Sequence, residues 1–207
     1  MLPMHRILIS FVSVLGAASL YAEGTVFFSN RVIGTMIAPV YVGGTTQLTG
    51  NGPTGFPAGT QEWGPEFTLA AGSGYSAALL VGPDLLQASP VTTFRTGFAA
   101  GFVSAVTATL PGVPEEAPSA QLQMVAWDNR GGTLTSWAEA KEAWLAGETA
   151  AGMSTIFTVE YIGGTLNPPP ALAGLESFNI FVIPEPGGLA LILVFAGLRA
   201  ASRSRRG

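Results

Sequence analysis

Oxygen ligands and carboxylates are the main chemical resources of this chain. It has no cysteine and one histidine, His5, near its N-terminus. Beyond His5 it therefore cannot build a Ser-His-Asp triad, a Cys-His dyad or a zinc site of the usual nitrogen and sulfur ligands. What remains is a carboxylate pair for glycoside hydrolysis, or an oxygen-ligated calcium ion. The densest polar cluster is Asp128-Asn-Arg-Gly-Gly132, beside Trp127. An Asp and an Asn on a loop can hold a sugar or a cation, but the same order suits a strand-to-helix turn, with Asx hydrogen bonds and glycines for positive φ. The turn is the favoured reading. Glu115-Glu116, between Pro114 and Pro118, offers half of a carboxylate pair, yet neighbours in an extended segment point apart. A solvated acidic loop is expected there. No spacing identifies a second catalytic carboxylate, so no catalytic residue, metal or cofactor is assigned.

A different kind of site stands near the C-terminus. Pro184-Glu185-Pro186 is followed by an apolar run from Leu189 to Leu198, and then by Arg199, Arg203, Arg205 and Arg206. Proline fixes φ and drives its predecessor towards extended geometry, so the two prolines hold Glu185 stretched, as an enzyme would grip it. Arginines resist translocation, which places the apolar run in a membrane with its basic end cytoplasmic and Pro-Glu-Pro facing outwards. Gly187 to Leu198 is only twelve residues, whereas a helix needs about 20 to cross a bilayer. Continuing to Ser202 adds about a turn, with Arg199 snorkelling its charge, so the helix is expected over about 187–202. A buried core helix with a basic surface tail is the alternative.

At the other end, Met1-Leu-Pro-Met-His-Arg6 supplies a positive region and Ile7 to Leu20 an apolar one, the pattern of a secretory signal peptide. Cleavage by signal peptidase is expected after Ala22, with Ser19 as the alternative. Glu23 to Ile183 then remains, about one domain in size. It holds twelve acids against four bases, Arg31, Arg95, Arg130 and Lys141, a formal charge of −8. Such a surface repels phosphate backbones, which argues against a nucleic-acid partner. Without cysteines, this exported segment must be stabilised by its core alone.

The elements that would carry these groups are mostly extended. Gly24 to Asn30, Ala38 to Val42, Glu66 to Ala71, Tyr75 to Val81, Val91 to Arg95, Gly101 to Leu110 and Gln121 to Trp127 read as strands, as do the alternating stretches near 156–161 and 178–183. That is about nine. Turns are expected at Gly72-Ser-Gly74, Gly82-Pro-Asp84 and Pro111-Gly-Val-Pro114 through Pro118, and the Gly- and Pro-rich stretch from Thr45 to Pro65 reads as a long surface loop. In Gln121 to Trp127, Leu122, Met124 and Ala126 share one face, while Val125 and Trp127 join the two glutamines on the other, so both faces are expected to be partly covered. One helix interrupts the pattern. Ser136-Trp-Ala-Glu139 has capping-box spacing, Trp137, Ala140, Trp144 and Leu145 fall on one face, and Gly147 supplies a stop. This helix should lie on a sheet, with its tryptophans as packing groups more than sugar platforms. The fold class expected is all-β, a β-sandwich or jelly roll with one short helix.

The Pro-Glu-Pro, hydrophobic helix and Arg-rich end together resemble the C-terminal sorting signal of PEP-CTERM proteins. Gly24-Thr-Val-Phe-Phe-Ser-Asn-Arg31, Ala126-Trp-Asp128 ahead of a helix, and Leu175-Glu-Ser-Phe178 leading into the tag also look like a group of such proteins. The resemblance implies recognition of Pro184, Glu185 and Pro186 by an exosortase-type membrane enzyme. It also implies transient insertion in the cytoplasmic membrane, delivery to the cell surface or extracellular matrix, and a link to exopolysaccharide or biofilm. A non-enzymatic, structural role is the leading expectation. A carbohydrate-binding module would show a coplanar pair of exposed rings in a groove. A carboxylate glycosidase would show two acids facing one cleft, about 5 to 9.5 Å apart.

Overall fold

The computed structural model describes residues 22–184. The expected signal peptide up to Tyr21, together with Glu185, Pro186, the apolar run and Arg199, Arg203, Arg205 and Arg206, lies outside the described residues. Among the described residues no helix is long and apolar enough to cross a membrane.

The described residues are all-β with one short α-helix. In order, its strands are β1 (Glu23–Phe28), β2 (Arg31–Val32), β3 (Met36–Ile37), β4 (Val40–Val42), β5 (Thr68–Leu69), β6 (Tyr75–Val81) and β7 (Leu86–Gln87). There follow β8 (Thr92–Thr93), β9 (Val106–Pro114), β10 (Ser119–Asp128), helix α1 (Trp137–Leu145), β11 (Ala151–Met153), β12 (Phe157–Glu160) and β13 (Phe178–Ile180). Thirteen strands thus stand where about nine were expected, because β2, β3, β7 and β11 are only two or three residues long. Pairs that short are set by a neighbouring strand rather than by their own residue pattern.

The antiparallel pair β6–β10 is the spine, in register from Leu122 opposite Val81 to Asp128 opposite Tyr75. The strands β7, β8, β11 and β12 pair with one or other of these two. Alternation along the spine supplies two cores. Ala77, Leu79 and Val81 of β6, with Leu122, Met124 and Ala126 of β10, face an inner cluster shared with Val26, Phe28, Val40, Leu110 and Phe178. Ala78, Leu80, Val125 and Trp127 face the other way, onto Trp137, Ala140 and Trp144 of α1 and onto Phe181. Both faces of β10 are covered, as its sequence led one to expect. A spine buried on both sides can be almost wholly apolar, and β6 is.

Helix α1 begins as its sequence specifies. The Ser136 hydroxyl accepts from the Glu139 N–H, while the Glu139 carboxylate accepts from the Ser136 N–H at 3.0 Å and the Thr135 N–H at 2.9 Å. It ends in a Schellman pair, Glu148 N–H to Ala143 carbonyl at 2.8 Å and Gly147 N–H to Trp144 carbonyl at 2.9 Å, with Gly147 left-handed. Leu145 does not join the buried face. It is 63% exposed, one position past Trp144 where the helix turns outwards.

A second departure concerns Pro111-Gly-Val-Pro114, expected as a turn and found inside β9. Its partner β1 pairs Thr25 with Thr109 and Glu23 with Pro114, so a register shift falls across the two prolines. A strand tolerates proline at such an irregularity because fewer ladder donors are needed there.

Four buried asparagines fasten the loops. Asn30 donates from Nδ2 to the carbonyls of Ala38 and Gly101, both at 2.8 Å, and accepts from the Val103 N–H at 2.9 Å. Asn179 donates to Gly43 and Thr46 and accepts from the Leu48 N–H. Asn51 accepts from the Ser177 N–H and hydroxyl and donates to the Pro57 carbonyl. Asn129 donates to the Ser73 carbonyl and the Ser76 hydroxyl. Buried amides must be paired, and here each ties together segments far apart in sequence.

Candidate functional site

Two of the polar clusters with possible chemistry are structural. Asp128 ends β10, and its carboxylate accepts from the Arg130 N–H at 2.8 Å, an Asx turn. Asn129 is buried and accepts from the Gly132 N–H at 3.0 Å, while Arg130, Gly131 and Gly132 all take positive φ. The favoured turn is what the chain forms. Burial, and then the Asp128 charge, push the phenol of nearby Tyr75 up.

Glu115 and Glu116 are not a solvated loop. Glu116 has φ of +59°, which breaks the extended alternation and lets both side chains reach the same segment. Glu115 accepts from the Thr165 hydroxyl at 2.9 Å, and Glu116 accepts from the N–H groups of Leu166 at 2.6 Å and Asn167 at 3.1 Å. They clasp a turn. Among the described residues no three acidic or histidine side chains are grouped to hold a metal.

The tryptophans divide. Trp127, Trp137 and Trp144 are 0%, 6% and 8% exposed and form a chain of tilted rings that ends edge-on at Phe181. Trp127 donates to the Leu134 carbonyl, and Trp144 to that of Phe181. They are packing groups, as expected.

Trp63 is the exception, and it organises a cleft with a mixed aromatic and polar wall. Along β4, Val40 and Val42 turn towards the inner core, so Tyr41 faces the other side of the three-stranded sheet β13–β4–β5. The long loop after β4 folds back across that side and lays Trp63 on Tyr41, ring centroids 4.2 Å apart and planes 13° from parallel. Phe67 meets the indole edge-on at 5.2 Å. Asn179 holds the start of this loop, at Gly43, Thr46 and Leu48, and Asn51 holds its middle, at Pro57 and against Ser177. A Cβ on Gly52 would stand 3.2 Å from the Gln61 carbonyl oxygen and 3.3 Å from the Trp63 ring, so glycine permits the close approach here.

The cleft beside this pair is about 430 Å³ and open, within the range of small-molecule sites. Thr54, Gln61 and Glu62 complete its wall. Gln61 donates to the Glu62 carbonyl at 2.8 Å, which holds its amide along the rim. Burial raises the Tyr41 phenol above its ordinary value, so it remains a neutral hydroxyl at neutral pH. The Trp63 indole N–H is buried and has no hydrogen-bond partner among the described residues. Sequence reasoning missed this site because Trp63 lies in a stretch without periodicity; an isolated tryptophan in a Gly/Pro-rich loop was the available signal.

Of the sorting-motif residues, Pro184 is described and is exposed, while Glu185 and Pro186 lie outside the described residues. Comparison with protein-family models, with characterised proteins and with solved structures finds no match to this chain.

Proposed function

We propose that this is an exported, non-enzymatic protein of the cell envelope or extracellular matrix, a β-sandwich that an exosortase-type system sorts through Pro184, Glu185 and Pro186. The observation that carries this reading is the exposure of the chain as it enters the Pro-Glu-Pro motif. Strand β1 begins at Glu23, beside the expected signal-peptide cut. After β13 the backbone of Phe181 still pairs with Ala151, but Val182 and Pro184 are exposed. The residues that lead into the motif, Val182 and Pro184, are thus at the surface, which supports the reading that an enzyme reaches it. The sandwich is supported by the single inner cluster to which β1, β4, β6, β9, β10, β12 and β13 all contribute.

A carboxylate glycosidase has less support. Three clefts of the described surface carry one acid each: Glu62, Asp84 and Glu176. A single carboxylate per cleft does not supply the paired acid and base that the reaction uses.

The test is processing of Glu185→Gln in a host with a matching exosortase. The substitution changes neither hydrophobicity nor the arginine cluster, so insertion should be normal while unprocessed protein accumulates in the membrane. Fractionation and immunoblotting showing the variant processed as fast as wild type would overturn the sorting role. Removing Arg203, Arg205 and Arg206 together should instead weaken retention on the cytoplasmic side.

A further inference from the structure

We propose that the Tyr41–Trp63 cleft binds a neutral pyranose unit of a polysaccharide. A pyranose presents an apolar C–H face and a rim of hydroxyls, so it needs an aromatic wall beside a few polar groups. The cleft provides that combination. Stacking on Tyr41 fixes the indole plane, and edge contact with Phe67 prevents it from swinging away. Gln61, Thr54 and the neutral Tyr41 phenol offer donors and acceptors around the same space.

Charge selects the class of sugar. Among the residues of the cleft wall Glu62 is the only charged one, and no lysine or arginine is present. With a net charge of −8 on the segment Glu23 to Ile183, uronates and sulfated sugars are repelled and neutral ones are not. The two rings lie one on the other and are not the coplanar, side-by-side pair expected of a carbohydrate-binding module, so they offer one stacking position and a single sugar ring is held at a time.

This inference deepens the matrix-delivery reading by naming what the exported domain would meet there. It is tested on binding alone, so its failure leaves the processing result untouched, and the reverse also holds.

The experiment is native affinity electrophoresis of the full chain, kept in a polyoxyethylene detergent so that no sugar headgroup competes. The gels contain dextran, laminarin, galactomannan or alginate. At least one neutral polysaccharide should retard the wild type, and alginate should not. Trp63→Ala should weaken that retardation roughly tenfold or more, and Gln61→Ala should weaken it with folding unaffected. A parallel measurement needs no variant. Trp63 is the one tryptophan of the four that is not buried, so mild oxidation followed by mass spectrometry should mark it first, and the retarding polysaccharide should protect it. No retardation by any neutral gel, retardation by alginate alone, or unprotected Trp63 in the presence of a retarding polysaccharide would overturn the proposal. So would retention on an immobilised polyproline peptide in place of the glycans, which would make the aromatic wall a peptide site.

Discussion

Asn30→Asp is the sharpest probe of how this fold holds its loops. The substitution is isosteric and keeps the Oδ1 acceptor for the Val103 N–H, but it replaces the Nδ2 donor with an oxygen facing the carbonyls of Ala38 and Gly101. The two losses are unequal. The Gly101 carbonyl still accepts from the Val40 N–H at 3.0 Å, so losing one bond there costs about 1 kcal/mol, while orphaning the Ala38 carbonyl costs about 2 kcal/mol more. Asn30 is fully buried, so an aspartate there is held protonated more readily than in the unfolded chain, and its folded pKa is raised. In the protonated form it can donate to the Ala38 carbonyl again. Stability from that proton is fully present below the unfolded carboxylate pKa of about 3.9 and is lost as pH rises through the folded value. At pH 7.5 the variant should therefore be less stable than wild type by about 3 to 6 kcal/mol, the upper figure being the cost of keeping the group protonated at that pH. The gap should shrink to about 2 kcal/mol at pH 4.5. Urea unfolding of the segment Glu23–Ile183, followed by near-ultraviolet circular dichroism of the buried tryptophans, reads both values. With a slope of about 2 kcal/mol per molar urea, the midpoint should drop by roughly 1.5 to 3 M at pH 7.5. A gap below about 1 kcal/mol, or one that stays constant or widens at pH 4.5, would refute the argument that Asn30 acts as a buried donor.

Two further perturbations test the face of the sheet covered by α1. Trp144→Phe keeps a ring against Phe181 but removes the N–H bond to the Phe181 carbonyl, and it should cost about 1 kcal/mol; Trp144→Ala should cost about 3 to 5 kcal/mol, both read by denaturant unfolding. At the start of α1, the N–H groups of Thr135 and Ser136 hold the Glu139 carboxyl below its ordinary range. Its contribution is thus present above the ordinary carboxylate pKa and is lost as pH falls through the lowered folded value, so Glu139→Gln should flatten that part of the acid limb, with a direct readout from the carboxyl titration by NMR.

Local chemistry was enough to determine the class of this fold and several of its parts. A short apolar run between turn signals located β6 at Tyr75 to Val81, and alternation located the two faces of β10 and the strands near both ends, because these signals act between close neighbours in sequence. The capping box at Ser136 and Glu139 and the stop at Gly147 likewise depend on neighbours within a turn or so of helix. The absence of cysteine, and of histidine beyond His5, set the limits on the chemistry before any coordinate was known. Contacts distant in sequence decided the rest. Pro111 to Pro114 continue β9 because β1 shifts register opposite them, and Glu116 joins Glu115 on the turn at 165–167 because its backbone becomes left-handed. The same asparagine that reads as a turn former becomes, at positions 30, 51 and 179, a buried hub whose partners lie up to 136 residues away. Trp63 meets Tyr41 only because the loop between them is folded back across the outer face of a sheet and pinned by Asn51 and Asn179. No periodic pattern records such a meeting, since the energy that brings the two rings together is supplied by strands and side chains elsewhere in the chain.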